Sequence, residues 1–97
     1  MKLKDEVKLK RSQIADLARR YGATNIRLFG SVARGEERPD SDIDFLVDLQ
    51  PGRSLFDLGG LLTDLEGLLA RSVDVVTESG IKPRLKERIL NEALPLI

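Results

Sequence analysis

In the run Gly30-Ser31-Val32-Ala33-Arg34-Gly35, ten residues separate Ser31 from a pair of carboxylates, Asp42-Ile43-Asp44. Glycine lets a backbone come close to a phosphate and take up positive φ. Ser31 adds a hydroxyl, and neighbouring amides can point at the same oxygens. Arg34 can supply charge-assisted hydrogen bonds. Asp42 and Asp44, two apart on a strand, project to the same side at a backbone separation of roughly 6–7 Å. Carboxylates so placed can share metal ions about 4 Å apart, the spacing of phosphoryl-transfer sites. Magnesium takes oxygen ligands and keeps water, so one or two carboxylates and substrate phosphates complete its shell. Together the turn and the carboxylates suit the grip of a nucleoside triphosphate. Each part alone is weak: Asp-Ile-Asp more often marks a solvated strand face, and Gly-Ser an ordinary loop.

A third carboxylate, Asp74, sits in Val73-Asp74-Val75-Val76. A short apolar strand is expected to bury its centre, where an unpaired carboxylate is costly. If this strand neighbours the Asp42–Leu49 strand, Asp74 can ligate the metal or take a proton from an attacking hydroxyl. The competing reading is an edge-strand charge facing water.

The elements that must position these groups follow from periodicity. Ile14, Leu17, Ala18 and Tyr21 fall at i, i+3, i+4, i+7 and predict a helix from about Lys8 to Tyr21, with Val7 on the same face and Gly22 as its stop. Asn25 to Phe29 alternates as a strand, with Ile26 and Leu28 on one face. Gly30 to Ser41 reads as a turn-rich loop. Asp42 to Leu49 is the clearest strand: Ile43, Phe45, Val47 and Leu49 share one face, and Asp42, Asp44, Leu46 and Asp48 the other. Ser54, with Asp57 in capping-box position, starts a helix that runs to about Ala70. Gly59 and Gly60 within it permit either close packing on the sheet or a kink. Val73 to Thr77 is a short strand. Ser79 to Glu92 is a last helix with Pro83 in its first turn, Leu85, Ile89, Leu90 and Ala93 facing inward. The fold class is α/β (α+β), a small mixed sheet of three or four strands covered by helices on one face.

The 97 residues suit one domain, 1–97, with an apolar fraction of 41%. Cysteine and histidine are both absent, which excludes disulfides, a histidine base, a Ser-His-Asp triad and the usual zinc sites. Acid–base chemistry falls to carboxylates, lysines, Tyr21 or solvent. The charged N-terminus has no apolar signal-peptide centre, no run is long enough to span a bilayer, and the chain reads as cytoplasmic. Residues 1–27 hold eight Lys/Arg against three Asp/Glu, and residues 36–78 three against eleven. An acidic centre suits cations and not a nucleic-acid surface. The basic N-terminal helix, the leucines of Ser54–Ala70 and the apolar end Leu94-Pro95-Leu96-Ile97 are candidate partner surfaces, although core packing accounts equally well for the leucines.

The run Leu28-Phe29-Gly30-Ser31-Val32-Ala33-Arg34-Gly35, then Asp40-Ser41-Asp42-Ile43-Asp44, with Asp74 as a later strand carboxylate, resembles the polymerase-beta-like nucleotidyltransferase superfamily, and within it the minimal nucleotidyltransferase branch. The resemblance runs from the Tyr21-Gly22 helix end to the last helix. It implies a nucleotidyltransferase fold, catalytic and metal-linked aspartates at Asp42, Asp44 and Asp74, two magnesium ions, ATP as substrate, and phosphate contacts from Gly30 and Ser31. Arg34 is added to those contacts on its charge alone. The resemblance further implies the antitoxin of a toxin–antitoxin pair, whose partner is a small helical ribonuclease of the HEPN family inactivated by AMP transfer onto a tyrosine. Two alternatives are a non-catalytic antitoxin that acts by occlusion and a nucleotidyltransferase for a small molecule or nucleic acid. The latter kinds usually carry an extra domain, for which 97 residues leave no room.

Overall fold

The computed structural model describes residues 2–96. Met1 and Ile97, the ends of the charged N-terminal run and of the apolar C-terminal run, lie outside the described residues. The elements in chain order are α1 (Leu3–Leu9), α2 (Arg11–Arg20), β1 (Ala23–Phe29), α3 (Gly30–Arg34), β2 (Ile43–Leu49), α4 (Leu55–Leu69), β3 (Val73–Val76), a 3-10 turn (Glu78–Gly80), α5 (Pro83–Glu92) and β4 (Leu94–Pro95).

The strands form one mixed sheet of four in the order β3-β2-β1-β4. β1 runs antiparallel to β2 and to β4, and β2 runs parallel to β3. A parallel pair needs a long crossover, and α4 supplies it. The alternation in β2 sends Ile43, Phe45 and Val47 into the main core, where they meet Ile26 and Leu28 of β1, Val73 and Val75 of β3, Ile14 and Ala18 of α2, and Leu61 and Leu65 of α4.

Ala23 and Ile26 both enter this core although their odd spacing should set them on opposite faces of a regular strand. A β-bulge reconciles them. The register with β2 shifts between Thr24 and Arg27, and Asn25 takes φ +49. Asn25 donates from Nδ2 to Asp48 Oδ2 at 3.1 Å, which ties down the extra residue.

The second face of the sheet is less bare than the alternation predicts. Leu46, which falls there among the aspartates, is fully buried, and so is most of Phe29. The row Arg27–Leu46–Val76 crosses three strands at this level. The expectation of cover on one face alone is therefore corrected: the main core is one-sided, but the other face also excludes water at its centre.

Three further expectations are corrected. The first helix is broken at Lys10, whose Nζ donates to the Leu68 carbonyl at 3.1 Å near the end of α4, a favourable place for a cation. The Gly30–Ser41 loop begins as a helical turn, α3. α5 buries no residue, and Leu85 and Leu90 remain 38% and 37% exposed, so they do not face inward as a core stripe. The capping box is present as expected: Ser54 Oγ accepts from the Phe56 N–H at 3.2 Å, and Asp57 Oδ2 accepts from the Ser54 N–H at 2.9 Å. Gly60 allows close packing, though against Tyr21 just past the end of α2 rather than against the sheet; a Cβ there would overlap the Tyr21 ring. Tyr21 itself donates to Asp64 Oδ2 at 2.6 Å, and that bond holds its phenol above the ordinary value. No helix among the described residues is long and apolar enough to cross a membrane.

Candidate functional site

The site is assembled at one end of the sheet, where β1 finishes and β2 and β3 begin. β1 delivers Phe29 directly into Gly30, which takes φ +77 and starts α3. Phe29 lies opposite Asp44 of β2. The consequence is close contact between the turn and the carboxylate: a Cβ added to Gly30 would collide with Asp44 Oδ2. Glycine is required here on two counts, the left-handed backbone and the absent side chain. Ser31 follows in the first turn of α3, half-buried, beside the backbone N–H groups that a helix start leaves without helical partners.

Asp74 of β3 is the register partner of Asp44, so Phe29, Asp44 and Asp74 form one row across three strands. β3 is an edge strand and Asp74 is exposed. The expectation that Asp74 occupies a buried strand centre is corrected: the row beside Asp44 is right, but the edge leaves the carboxylate facing water. Asp42 is exposed and sits just before β2, one residue short of the strand predicted to hold it.

Asp44 is the enclosed member of the set. Burial raises its carboxyl from 3.8 to about 6; the charges of Asp74 and Asp42, and more weakly Glu92, add to the rise, and Arg34 opposes it. Among the described residues, no ion pair or side-chain hydrogen bond engages Asp42, Asp44 or Asp74. Three facing carboxylates without cationic partners repel one another, and a divalent cation relieves that repulsion. The donors are all oxygens, the kind magnesium takes. Among the described residues no three acidic side chains converge tightly enough to enclose an ion by themselves.

Arg34 does not stand free as a phosphate donor. Its Nη1 donates to both oxygens of Glu92, at 3.2 and 3.0 Å, and its Nε to Glu36 Oε2 at 3.1 Å. Those two carboxylates hold the guanidinium above its ordinary value. Glu92 also accepts from the Gly30 N–H at 3.3 Å. Sequence reasoning missed Glu92: it ends α5, 62 residues beyond Gly30, and nothing in its neighbourhood marks it.

Arg71 was missed as well. It follows α4 and donates to the carbonyls of Arg38, Pro39 and Ser41 at 3.1, 3.0 and 3.3 Å. Those carbonyls belong to the loop that presents Asp42. Ser41 Oγ tightens the same loop by accepting from the Arg38 N–H at 2.8 Å. One signal was legible: an arginine directly before an apolar strand whose neighbour begins with carboxylates.

Comparison with known proteins agrees with this fold. The family described as "Nucleotidyltransferase domain" matches residues 10–96. The chain is similar to a protein of Methanocaldococcus jannaschii named "Putative protein adenylyltransferase", with 43% identity over 93 residues, covering 96% of this chain and 97% of the relative. It is similar to a solved structure described as a "putative minimal nucleotidyltransferase", with 48% identity, a TM-score of 0.85, and coverage of 98% of this chain and 96% of the other. It is also similar to a chain of a crystal structure described as a toxin–antitoxin with AMP-PNP, with 25% identity, a TM-score of 0.75, and coverage of 90% and 72%.

Proposed function

The chain belongs to the nucleotidyltransferase domain family, and from that premise we propose that it transfers AMP from ATP to a hydroxyl, a tyrosine, of a HEPN-family ribonuclease toxin and so serves as that toxin's antitoxin. The observation that carries the reading is the row at the end of the sheet: Gly30 in contact with Asp44, and Asp44 in register with Asp74. A glycine-serine turn and a set of carboxylates without cationic partners are brought together there. The adenylyltransferase name of the 43% identical relative, and the AMP-PNP in the toxin–antitoxin structure that contains a similar chain, support the choice of adenylyl transfer and of a toxin as acceptor.

In this reading Asp42 and Asp44 hold magnesium, with Asp74 beside them. When bound, the metal supplies charge neutralisation on the triphosphate and lowers the cost of ionising the acceptor. The Gly30-Ser31 backbone and the Ser31 hydroxyl hold the β- and γ-phosphates, and Arg34 adds charge to that end. The acceptor oxygen forms a bond to the α-phosphorus, the bond from that phosphorus to the β-phosphate oxygen breaks, and pyrophosphate leaves. Asp74, exposed on the edge strand, can be reached by a group from another protein, and it takes the hydroxyl proton. A tyrosine hydroxyl has a pKa of about 10, so ionising it demands little of the site. Most of the acceleration then comes from positioning and from charge stabilisation.

The test uses ATP labelled at one phosphate at a time. Label at the α-phosphate should pass to the toxin, and label at the γ-phosphate should leave as pyrophosphate. Silencing of the toxin with neither label transferred would contradict the reading and leave occlusion as the mechanism.

A further inference from the structure

Glu92 places a carboxylate on the two donors that the proposed site offers to the far end of a triphosphate. It accepts from the Gly30 N–H at 3.3 Å and takes the Arg34 guanidinium on both of its oxygens, at 3.2 and 3.0 Å. Its side chain is only 18% exposed. An anionic group already satisfies the N–H and the cation that an incoming phosphate needs. We infer that Glu92 is an internal competitor of the nucleotide: its carboxylate must leave Gly30 and Arg34 before the triphosphate can be held. The inference rests on the nucleotide reading of the site given above.

The fold provides for that departure. α5 buries no residue fully, and the bonds that hold Glu92 are polar ones, to Gly30 and Arg34, which a side-chain rotation can exchange. The backbone beyond Glu92 is nevertheless secured, because the Ala93 N–H bonds to the Ile89 carbonyl and Leu94 pairs with Leu28 of β1. Release is therefore a rotation of the glutamate side chain and not loss of the helix. Arg88 lies one turn back on α5, and both residues line the same open groove with Arg84, Glu87 and Asn91. Among the described residues, Arg88 makes no ion pair. It offers the displaced carboxylate a second partner at i, i+4. Arginine N-terminal to glutamate is the weaker orientation of such a pair, so without nucleotide the carboxylate stays on Gly30 and Arg34.

A supporting role and a competing role for Glu92 predict opposite signs. Calorimetric titration of the wild type and Glu92→Gln with ATP and with AMP, both with magnesium, separates them. Glu92→Gln keeps the shape and an acceptor for Gly30 but gives up the charge. We expect it to bind ATP about three- to tenfold more tightly, the scale of one ordinary net hydrogen bond, and AMP with unchanged affinity. Wild-type binding of ATP with equal or weaker binding by Glu92→Gln would overturn the competitor and leave the nucleotide reading standing. Failure of both proteins to bind ATP would bring down the nucleotide reading, and the competitor with it. Should Glu92→Gln not fold, as judged by circular dichroism, Glu92→Asp carries the same expectation, since it withdraws the carboxylate by one methylene.

Discussion

Asp44 on β2 and Asp74 on β3 stand in register across a parallel strand pair, and Asp44 also fills the space a side chain on Gly30 would need. One partly buried carboxylate thus links the glycine turn to the edge-strand acid. The arrangement is unfavourable to the protein alone, and that cost is measurable.

Burial and the neighbouring charges raise the Asp44 carboxyl to about 6 from 3.8. Between those values the folded chain binds more protons at this position than the unfolded chain, so stability falls as pH rises through the window. Below 3.8 the effect vanishes, and above 6 the loss is complete. With discount for partial exposure, wild type should lose about 1–2 kcal/mol relative to Asp44→Asn between pH 4 and pH 7 in the absence of divalent cations. The check is the difference in thermal midpoint between the two proteins across that range. Magnesium at pH 7 should raise the midpoint of wild type and leave the Asp42→Asn/Asp44→Asn double variant unmoved.

Gly30→Ala forces a Cβ into Asp44 Oδ2 and a side chain onto a backbone at φ +77. The expected cost is about 1–3 kcal/mol in chemical denaturation. Transfer should be lost even at temperatures where the variant is fully folded, because the turn and the carboxylate can no longer meet.

Arg71 acts on Asp42 through the backbone. Arg71→Ala removes donors from three carbonyls of the Arg38–Ser41 loop. Water can replace them at this exposed loop, so stability should fall by only about 1 kcal/mol. Turnover should fall by about tenfold or more as the carboxylate loses its position. Arg71→Lys supplies charge but not the planar fork and should restore little of the rate. Equal losses of stability and turnover, both small, would mean that the loop holds itself in place.

Ser54→Ala serves as the opposing case. Ser54 caps α4 beyond the far end of β2, away from the carboxylates. Breaking the capping box should cost about 1 kcal/mol and leave turnover per folded molecule unchanged.

The places of Gly30, Ser31 and Asp44 were legible because they are local: a glycine at a strand end and two-residue alternation fix where they fall, although Asp42 lies one residue ahead of the strand. The β2–α4–β3 unit was legible for the same reason, its apolar pattern being long and its cap explicit. α3 was not, since five residues bounded by glycines give no helical period and look like turn chemistry. The break at Lys10 depends on a bond to Leu68 of α4, and β4 is a two-residue pairing on β1. Asp74 shows the limit most clearly. Its apolar neighbours imply burial, but the strand order makes β3 an edge. Glu92 and Arg71 act through contacts far apart in the chain, and a pattern read along the chain does not contain them.

Whether Asp42 and Asp44 support transfer of AMP to a partner protein is decided by mass spectrometry of a HEPN toxin incubated with this protein, ATP and magnesium, beside the Asp42→Asn/Asp44→Asn double variant. The toxin should be heavier by one or more units of about 329 Da, AMP less water, with wild type and show no gain with the double variant. A toxin silenced at its original mass, or one modified equally by the double variant, would rule out transfer by these carboxylates.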